Sequence, residues 1–506
     1  MHSMQLTMSW LIYPFFSSLA FFLFLILFQI RIGRKKKKSE YYSKLPPSPP
    51  PLPILGNLLW FLPDFDLGPT LRRLRSLLGP IATLHIPLLP PCIFIMDIDL
   101  AHRTLVRHAA AFSHRTPPLS PGRAFRIHAH SINTAPYGPR WRRLRHTLAV
   151  DLLNPSRLPS FSHAHRWALG SLVQKLQESS GSSGVNTVVD ARESFRFATF
   201  QALTLICFGD KLDDSTLRRL NALQLDYLSL TVKLSAYGLL PSVATVLYFN
   251  RWRRALHLSR KIDELLFPLF RAREQAEEDP SFVSYLDLLL KLGLDDDEIV
   301  SLCMEFLNAG VDTTTTTLEW VMVHLAKNQG IQERLYEEIK TASSRGGDVQ
   351  KIPYLKAVVL EALRRHPAAH VALPHMAGET VEVDGYVIPK GAIVNYALSE
   401  INWDEKVWEA PMEFRPERFL GGGEADIDAN ATLTNRAEIK MMPFGAGRRM
   451  CPGGGLAMMQ VQCFVASLIS KFRWEVAEGE EVELEEKHGL ITTMKNPFKA
   501  RIVSRE

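Results

Sequence analysis

The chain has 506 residues, 46% hydrophobic and 22% charged, an ordinary globular composition that argues against wholesale disorder and against a polytopic membrane protein. Its formal net charge of +6 is matched by one cluster, Arg31, Arg34 and Lys35 to Lys38, so the balance of the body gives no support for a nucleic-acid partner. The five cysteines (Cys92, Cys207, Cys303, Cys451, Cys463) are odd in number, scattered and without a CxxC pair, the usage of a reducing compartment and not of a disulfide scaffold or zinc site.

Residues 10–30, WLIYPFFSSLAFFLFLILFQI, carry no charge and as a helix would span about 31 Å at roughly 1.5 Å per residue, enough to cross a bilayer core. A cleaved signal peptide has positive charge before its apolar stretch; here residues 1–9 lack Lys and Arg and the basic cluster follows. The expectation is therefore an uncleaved anchor over 10–30 with residues 1–9 lumenal and the remainder cytosolic. Residues 31–57 read as a basic and proline-rich linker. LPPSPPPLPILGN within it is stiff and extended, either as a plain connection or as a spacer that fixes the body beside the membrane.

From Leu58 the periodicity is mostly helical, with amphipathic runs near Thr70–Leu78, Trp141–Leu153, Phe195–Phe208, Leu256–Ala276 and Ile331–Lys340. The strand-like pieces are short: IATLHIP, CIFIMD, VEVDGYVIP and AIVNYAL. No repeat and no long linker interrupts residues 58–506, which read as one mainly α domain with small β-sheets.

The stretch MPFGAGRRMCPGGG, Met442 to Gly455, places one cysteine among glycines. Gly445 and Gly447 begin a GxG, but Met450 stands where a dinucleotide fingerprint needs its third glycine, and no GxxxxGK[ST] occurs. Pro452 predicts a helix start, which puts Cys451 at a helix N-terminus, where free N–H groups favour an anion. With Arg448 and Arg449 adjacent, a thiolate at neutral pH is expected. Such a thiolate is a nucleophile or a metal ligand; no neighbouring His serves as a base for the first, whereas N–H donors, the shielding Phe444 and an arginine suit an axial haem ligand. A buried free cysteine is the plain alternative.

FGAGRRMCPG resembles the haem-binding loop F-x-x-G-x-R-x-C-x-G of the cytochromes P450, at Phe444, Gly447, Arg449, Cys451 and Gly453. Other stretches agree with it. Glu361 and Arg364 in EALR share a helix face, and with Arg418 of PMEFRPERF resemble the family's structural Glu-Arg-Arg triad. NAGVDTTTTTLEW resembles the oxygen-activation motif A-G-x-D-T-T. Its Thr313 is expected to bond back to Ala309 and bend the helix, and the resemblance makes Asp312 and Thr313 an acid–alcohol pair relaying protons toward dioxygen. In WRRLR, Trp141 and Arg145 lie one turn apart where the family binds a haem propionate, and His375 of LPHM stands where plant members carry a propionate partner. Arg142, Arg143, Lys440 and Arg448 form either a solvated face or a dock for an acidic electron donor.

The resemblance covers the chain from anchor to C-terminus, and the loop variants are similar to a plant A-type microsomal member. It implies the cytochrome P450 fold, an α-helical haem-thiolate domain with a minor β region behind a transmembrane helix, and an endoplasmic reticulum location. It also implies haem b (iron protoporphyrin IX) on Cys451, and NADPH acting indirectly through an NADPH-cytochrome reductase, with cytochrome b5 as a further donor. The implied reaction is insertion of one atom of O2 into a lipophilic organic substrate, in a pocket lined from Phe112–Ala135, Leu302–Ala309, Val371–Leu373 and Leu490–Thr493. A haem-thiolate isomerase or dehydratase and a non-catalytic haem sensor are the alternatives; the intact Asp312–Thr313 pair weighs against the first. Two connections, KTASSRGGDVQKIP and LGLDDDEIV, are short for such a protein, and Gly454 and Gly455 are weak helix starters without an evident reason.

Overall fold

The computed structural model describes residues 44–61, 67–87, 89–116, 131–181, 188–235, 249–276, 282–421, 439–477 and 482–505. The expected lumenal segment 1–9, anchor 10–30 and basic cluster lie outside these residues; among the described residues no helix is long and apolar enough to cross a membrane.

The proline-rich segment is fastened to the body. Pro46 and Pro49 are buried, the Thr83 N–H donates to the Pro47 carbonyl at 2.8 Å, and Asn57 bonds Pro49 and His85. An extended segment held by hydrogen bonds to a strand cannot swing freely relative to the body.

The four strand-like pieces all form strands. β1 (Ile81–Leu84), β2 (Cys92–Ile95), β3 (His114–Arg115), β5 (His375–Met376) and β8 (Ile393–Tyr396) make one sheet in the order β1-β2-β8-β5-β3, mixed because β2 and β8 run parallel. VEVDGYVI folds as a hairpin of β6 (Val381–Val383) and β7 (Tyr386–Ile388); its Asp384-Gly385 turn has positive φ at both residues, 52° and 77°, the geometry that an Asp-Gly pair tolerates. β4 (Val188–Asp190), β12 (Lys499–Ser504) and β9 (Phe472–Val476) form a third sheet, and β10 (Glu486–Lys487) pairs with β11 (Thr493–Met494).

The principal helices are α1 (Leu67–Leu78), α2 (Pro139–His146), α3 (Ser162–Gly181), α4 (Ala191–Phe208), α5 (Asp214–Ser235), α6 (Phe249–Gln275), α7 (Tyr285–Lys291), α8 (Asp296–Lys327), α9 (Gln329–Ser344), α10 (Pro353–Arg365) and α11 (Gly454–Lys471). The run expected over Trp141–Leu153 is an α-helix only to His146; Thr147–Leu152 widens into a π-helical turn. α8 is the axis of the molecule. Asp295 caps it by accepting the Glu298 N–H, Asp296, Asp297 and Glu298 complement its dipole, and its 32 residues extend about 48 Å. From Ile299 to Ala326 it is mostly buried, packed against α4, α10 and α11. The short connection after α9 holds a single 3-10 turn, Val349–Lys351, capped by Asp348.

Candidate functional site: a cysteine loop beneath the central helix

The loop from Met442 to Gly453 is closed by its own backbone, with the Cys451 N–H donating to the Phe444 carbonyl at 2.8 Å. Gly447 has φ +72°, and a Cβ there would stand 2.1 Å from the Leu105 carbonyl oxygen, so only glycine lets the loop lie this close to the main chain at Leu105. Phe444 is half-buried against the cluster that joins α8, α10 and α11. The helix after the loop starts at Gly454 and not at Pro452, with Gly453 as its cap. The N–H groups of Gly453 and Gly454 both bond the Cys451 sulfur, and at Gly455 a Cβ would stand 3.1 Å from Leu158 Cδ1.

Cys451 lies below the outer surface, yet its side chain remains accessible within the protein. Burial pushes its thiol pKa up, and the Gly453 and Gly454 donors and the charge of Arg145 only partly offset that. The expectation of a thiolate formed by helix dipole and neighbouring arginines is corrected on two counts. Desolvation wins, and the cation that acts on the sulfur is Arg145; Arg448 instead donates to Tyr137 Oη at 2.7 Å.

Three guanidinium groups gather beside the loop. Trp141 and Arg145 share a face of α2. Arg145 donates to the Met450 carbonyl, and Trp141 is buried with Nε1 donating to the Ile132 carbonyl at 3.0 Å. Arg449 stacks over the Trp141 ring at 4.2 Å and donates to the carbonyls of Ser113, Ile132 and Ala135. The third, Arg115, was missed by sequence reasoning. It sits on β3 opposite His375 on β5 and donates to the Leu373 and Pro374 carbonyls. Its only sequence signal was a lone cation closing the apolar run AAAFSHR. Burial and mutual repulsion depress these groups, Arg115 to about 10 and Arg449 to about 9. His375 Nδ1 donates to the Phe112 carbonyl at 2.6 Å, and the ring is held near 3 by burial and by Arg115, hence neutral.

The triad forms as expected. Arg364 Nε and Nη2 grip Glu361 at 2.7 and 2.9 Å, and Arg418 Nε reaches the same carboxylate at 3.3 Å, all three residues being buried. The Arg415 N–H adds a fourth donor at 2.8 Å. Arg364 also donates to the Asn402 carbonyl, and Asn402 Oδ1 accepts the Met442 N–H at 3.2 Å. The ion cluster is thereby tied to the first residue of the cysteine loop through one asparagine.

On α8 the Thr313 hydroxyl bonds back to the Ala309 carbonyl at 2.7 Å, as expected, and Thr315 and Thr317 repeat the pattern. Asp312 and Thr313 do not bond each other. Asp312 Oδ1 accepts from Arg196 Nε of α4 at 2.8 Å, while its Oδ2 is buried without a hydrogen-bond partner. Arg196 is held in turn by Asn221 and Gln224 of α5. The wall stretch 302–309 also contains an unexpected charge, Glu305. It is half-buried and accepts from Ser131 Oγ and the Ile132 and Asn133 N–H groups, pinning that segment to α8. Residues 117–130 of the expected wall lie outside the described residues.

A family model described as Cytochrome P450 matches residues 46–502. The chain belongs to the cytochrome P450 family. Cytochrome P450 89A9 of Arabidopsis thaliana is 38% identical, over 96% of this chain and 98% of its own length. Flavonoid 3'-monooxygenase of the same plant is 30% identical over 93% of each chain, and salviol synthase of Salvia pomifera 31% identical over 92% and 93%. A solved zebra fish cytochrome P450 bound to abiraterone aligns with a TM-score of 0.71 at 22% identity, covering 87% of this chain and 100% of that one, a likeness of fold. This P450 is an oxidoreductase of the monooxygenase kind.

The residues of this P450 fit a haem. A single sulfur is presented with two backbone N–H groups aimed at it, beside Arg115, Arg145 and Arg449, none of which forms an ion pair among the described residues. Three mutually repelling guanidinium groups, of which only Arg449 feels a carboxylate, that of Glu305, form a receptor for anionic groups such as propionates. Because burial favours the thiol, coordination to iron is what would remove its proton.

Proposed function

We propose that this P450 is a single-pass protein of the endoplasmic reticulum membrane, anchored by residues 10–30 and linked by 31–57 to a cytosolic catalytic domain, 58–506. In this reading it takes electrons from NADPH through a separate reductase and oxygenates a lipophilic substrate. The observation that carries it is the Asp312–Thr313 step on α8, with one carboxylate oxygen left unbonded and a hydroxyl partly accessible, in a chain that also carries a cysteine loop of haem-ligand form.

Cys451 would hold the iron, and Arg115, Arg145, Arg449, Trp141 and His375 would hold the rest of the group, the arginines taking its anionic parts. Haem, when bound, supplies the activation of dioxygen and the transfer of one oxygen atom to carbon. The chain's own residues supply position and protons. Thr313 donates its hydroxyl hydrogen to Ala309 and so turns its Oγ1 lone pairs outward, ready to receive a proton and pass it on. Asp312 collects a proton at Oδ2; leaving Arg196 lets the carboxyl deliver it to Thr313 Oγ1. Leu302, Phe306 and Leu307 of α8 and Leu490 give the walls an apolar character suited to a lipophilic substrate.

Arg142 and Arg448 both lie over the Tyr137 ring, at 5.3 and 5.1 Å, and give the loop side a paired positive face for an acidic electron donor. The test is a metabolite screen of microsomes containing this protein and a plant reductase, with NADPH consumption followed alongside. Product formation coupled to NADPH supports the reading; product without NADPH points to an isomerase or dehydratase, and neither, with haem bound, to a sensor.

A further inference from the structure

A second constellation lies at the base of the β10–β11 hairpin. Glu486 of β10 is bonded by His366 Nδ1 at 2.6 Å and by His370 Nε2 at 2.7 Å. His366 lies flat on Trp320, ring centroids 3.7 Å apart, and its Nε2 meets His324 Nε2 at 2.9 Å. His324 is stacked on Phe414 in turn. On the open side, the His488 ring stands edge-on to His370 at 4.2 Å. One ligand atom each from His370, Glu486 and His488 lies within 4.8 Å of the other two.

The two halves of this cluster differ. On the inner side the hydrogen bonds are complete, from Glu486 through His366 to His324. Burial keeps His366 neutral, its pKa about 4, and the histidine N–H groups hold the Glu486 carboxyl well below the usual range, so an ionised carboxylate is fixed in orientation from behind. On the outer side His370 is 4% exposed and its Nδ1 has no hydrogen-bond partner, a cost that a structural network would have relieved. Two imidazoles and a carboxylate, with the carboxylate steadied by further histidines, form the donor set of a zinc-type ion. Glu486 and His488 are half-buried, which leaves an entry path. Arg365 interacts with Glu486 and is the charge that opposes a cation here.

We propose that His370, Glu486 and His488 bind a divalent transition-metal ion of the zinc class, with His366 and His324 holding the carboxylate in place. His370 directly precedes 371–373, and Glu486 and His488 lead into 490–493, so the ion would cross-link the stems of two wall segments; that consequence, unlike the site itself, rests on the pocket reading above. Thr492 already joins these stems by donating to the Ala368 carbonyl at 2.8 Å.

The experiment is equilibrium dialysis of the full-length haem-loaded protein against buffered Zn2+, with zinc and iron counted in the same sample. One zinc per chain is expected, with affinity lowered at least about tenfold in His488→Ala and in Glu486→Gln, which removes the charge and keeps one acceptor oxygen for His366 or His370. Zinc should also slow amide hydrogen exchange within 486–494. No retained zinc, equal retention by both variants, or protection confined to another part of the chain overturns the site. The iron count separates a failure of the haem reading from a failure of this one.

Discussion

In the proposed reaction the cysteine loop would hold the metal and the middle of α8 would relay protons, and the two regions are built on opposite principles. Around Cys451 the polar groups are committed. Arg449 spends its donors on three carbonyls, Arg145 holds Met450, and the Glu361 cluster reaches the loop through Asn402. On α8, Asp312 keeps one oxygen without a partner and Thr313 remains partly accessible. A ligand to a metal must not move, so its surroundings are saturated with hydrogen bonds. A proton relay must change partners, so its surroundings are left incomplete.

The sharpest way to break this contrast is Cys451→Ala. It should abolish the thiolate-type band in the carbon-monoxide difference spectrum of the reduced protein and reduce activity to background; a surviving band would place the iron on another residue. Next is Arg364→Ala, which takes two of its four donors from the buried Glu361 carboxylate. A loss of about 3–5 kcal/mol is expected, read as poor haem retention and a large fall in Tm, whereas an unchanged Tm would remove the triad's role.

Substitutions on the α8 side should leave the fold and the difference spectrum intact. Thr313→Ala and Asp312→Asn are each expected to lower kcat by about 100-fold while NADPH consumption continues without product. A variant with wild-type coupling would show that protons arrive elsewhere. Smaller still is the effect of Arg142→Glu with Arg448→Glu, a several-fold rise in the reductase concentration needed for half-maximal rate, with weaker salt dependence.

The last test is of pH. His165 and His366 are held at about 4, and His375 at about 3, by burial. Below pH 6.5 the unfolded chain binds protons that the folded chain refuses, so their stability contribution is complete above 6.5 and is lost as pH falls toward 4. Tm should decline through that window, and His375→Gln should flatten part of the decline. A pH-independent Tm would show these rings titrating freely.

Legibility in the sequence followed the range of the interactions. The four strand-like segments, the Thr313 back-bond and the spacing of Glu361 and Arg364 are local, and pattern alone located them, although VEVDGYVIP was read as one piece and is a hairpin of two strands. Arg115 could not be found that way, since its role depends on β3 lying against β5, 260 positions along the chain. Nor could the salt bridge from Arg196 to Asp312, which joins two helices separated by 116 residues. The cysteine pKa was misjudged for a related reason. Dipole and charge are readable from neighbours, whereas the depth of burial that outweighs them is a property of the whole packed chain.

Gly447 has a consequence for anyone altering this protein. Any side chain at that position meets the Leu105 carbonyl oxygen, so the backbone there would have to retreat, and the displacement would travel four residues along the loop to the sulfur. The position of the Cys451 loop is thus set partly by a contact that contains no functional group, and in the proposed reading an alanine placed at 447 should weaken iron ligation while leaving every charged and coordinating residue in the chain unchanged.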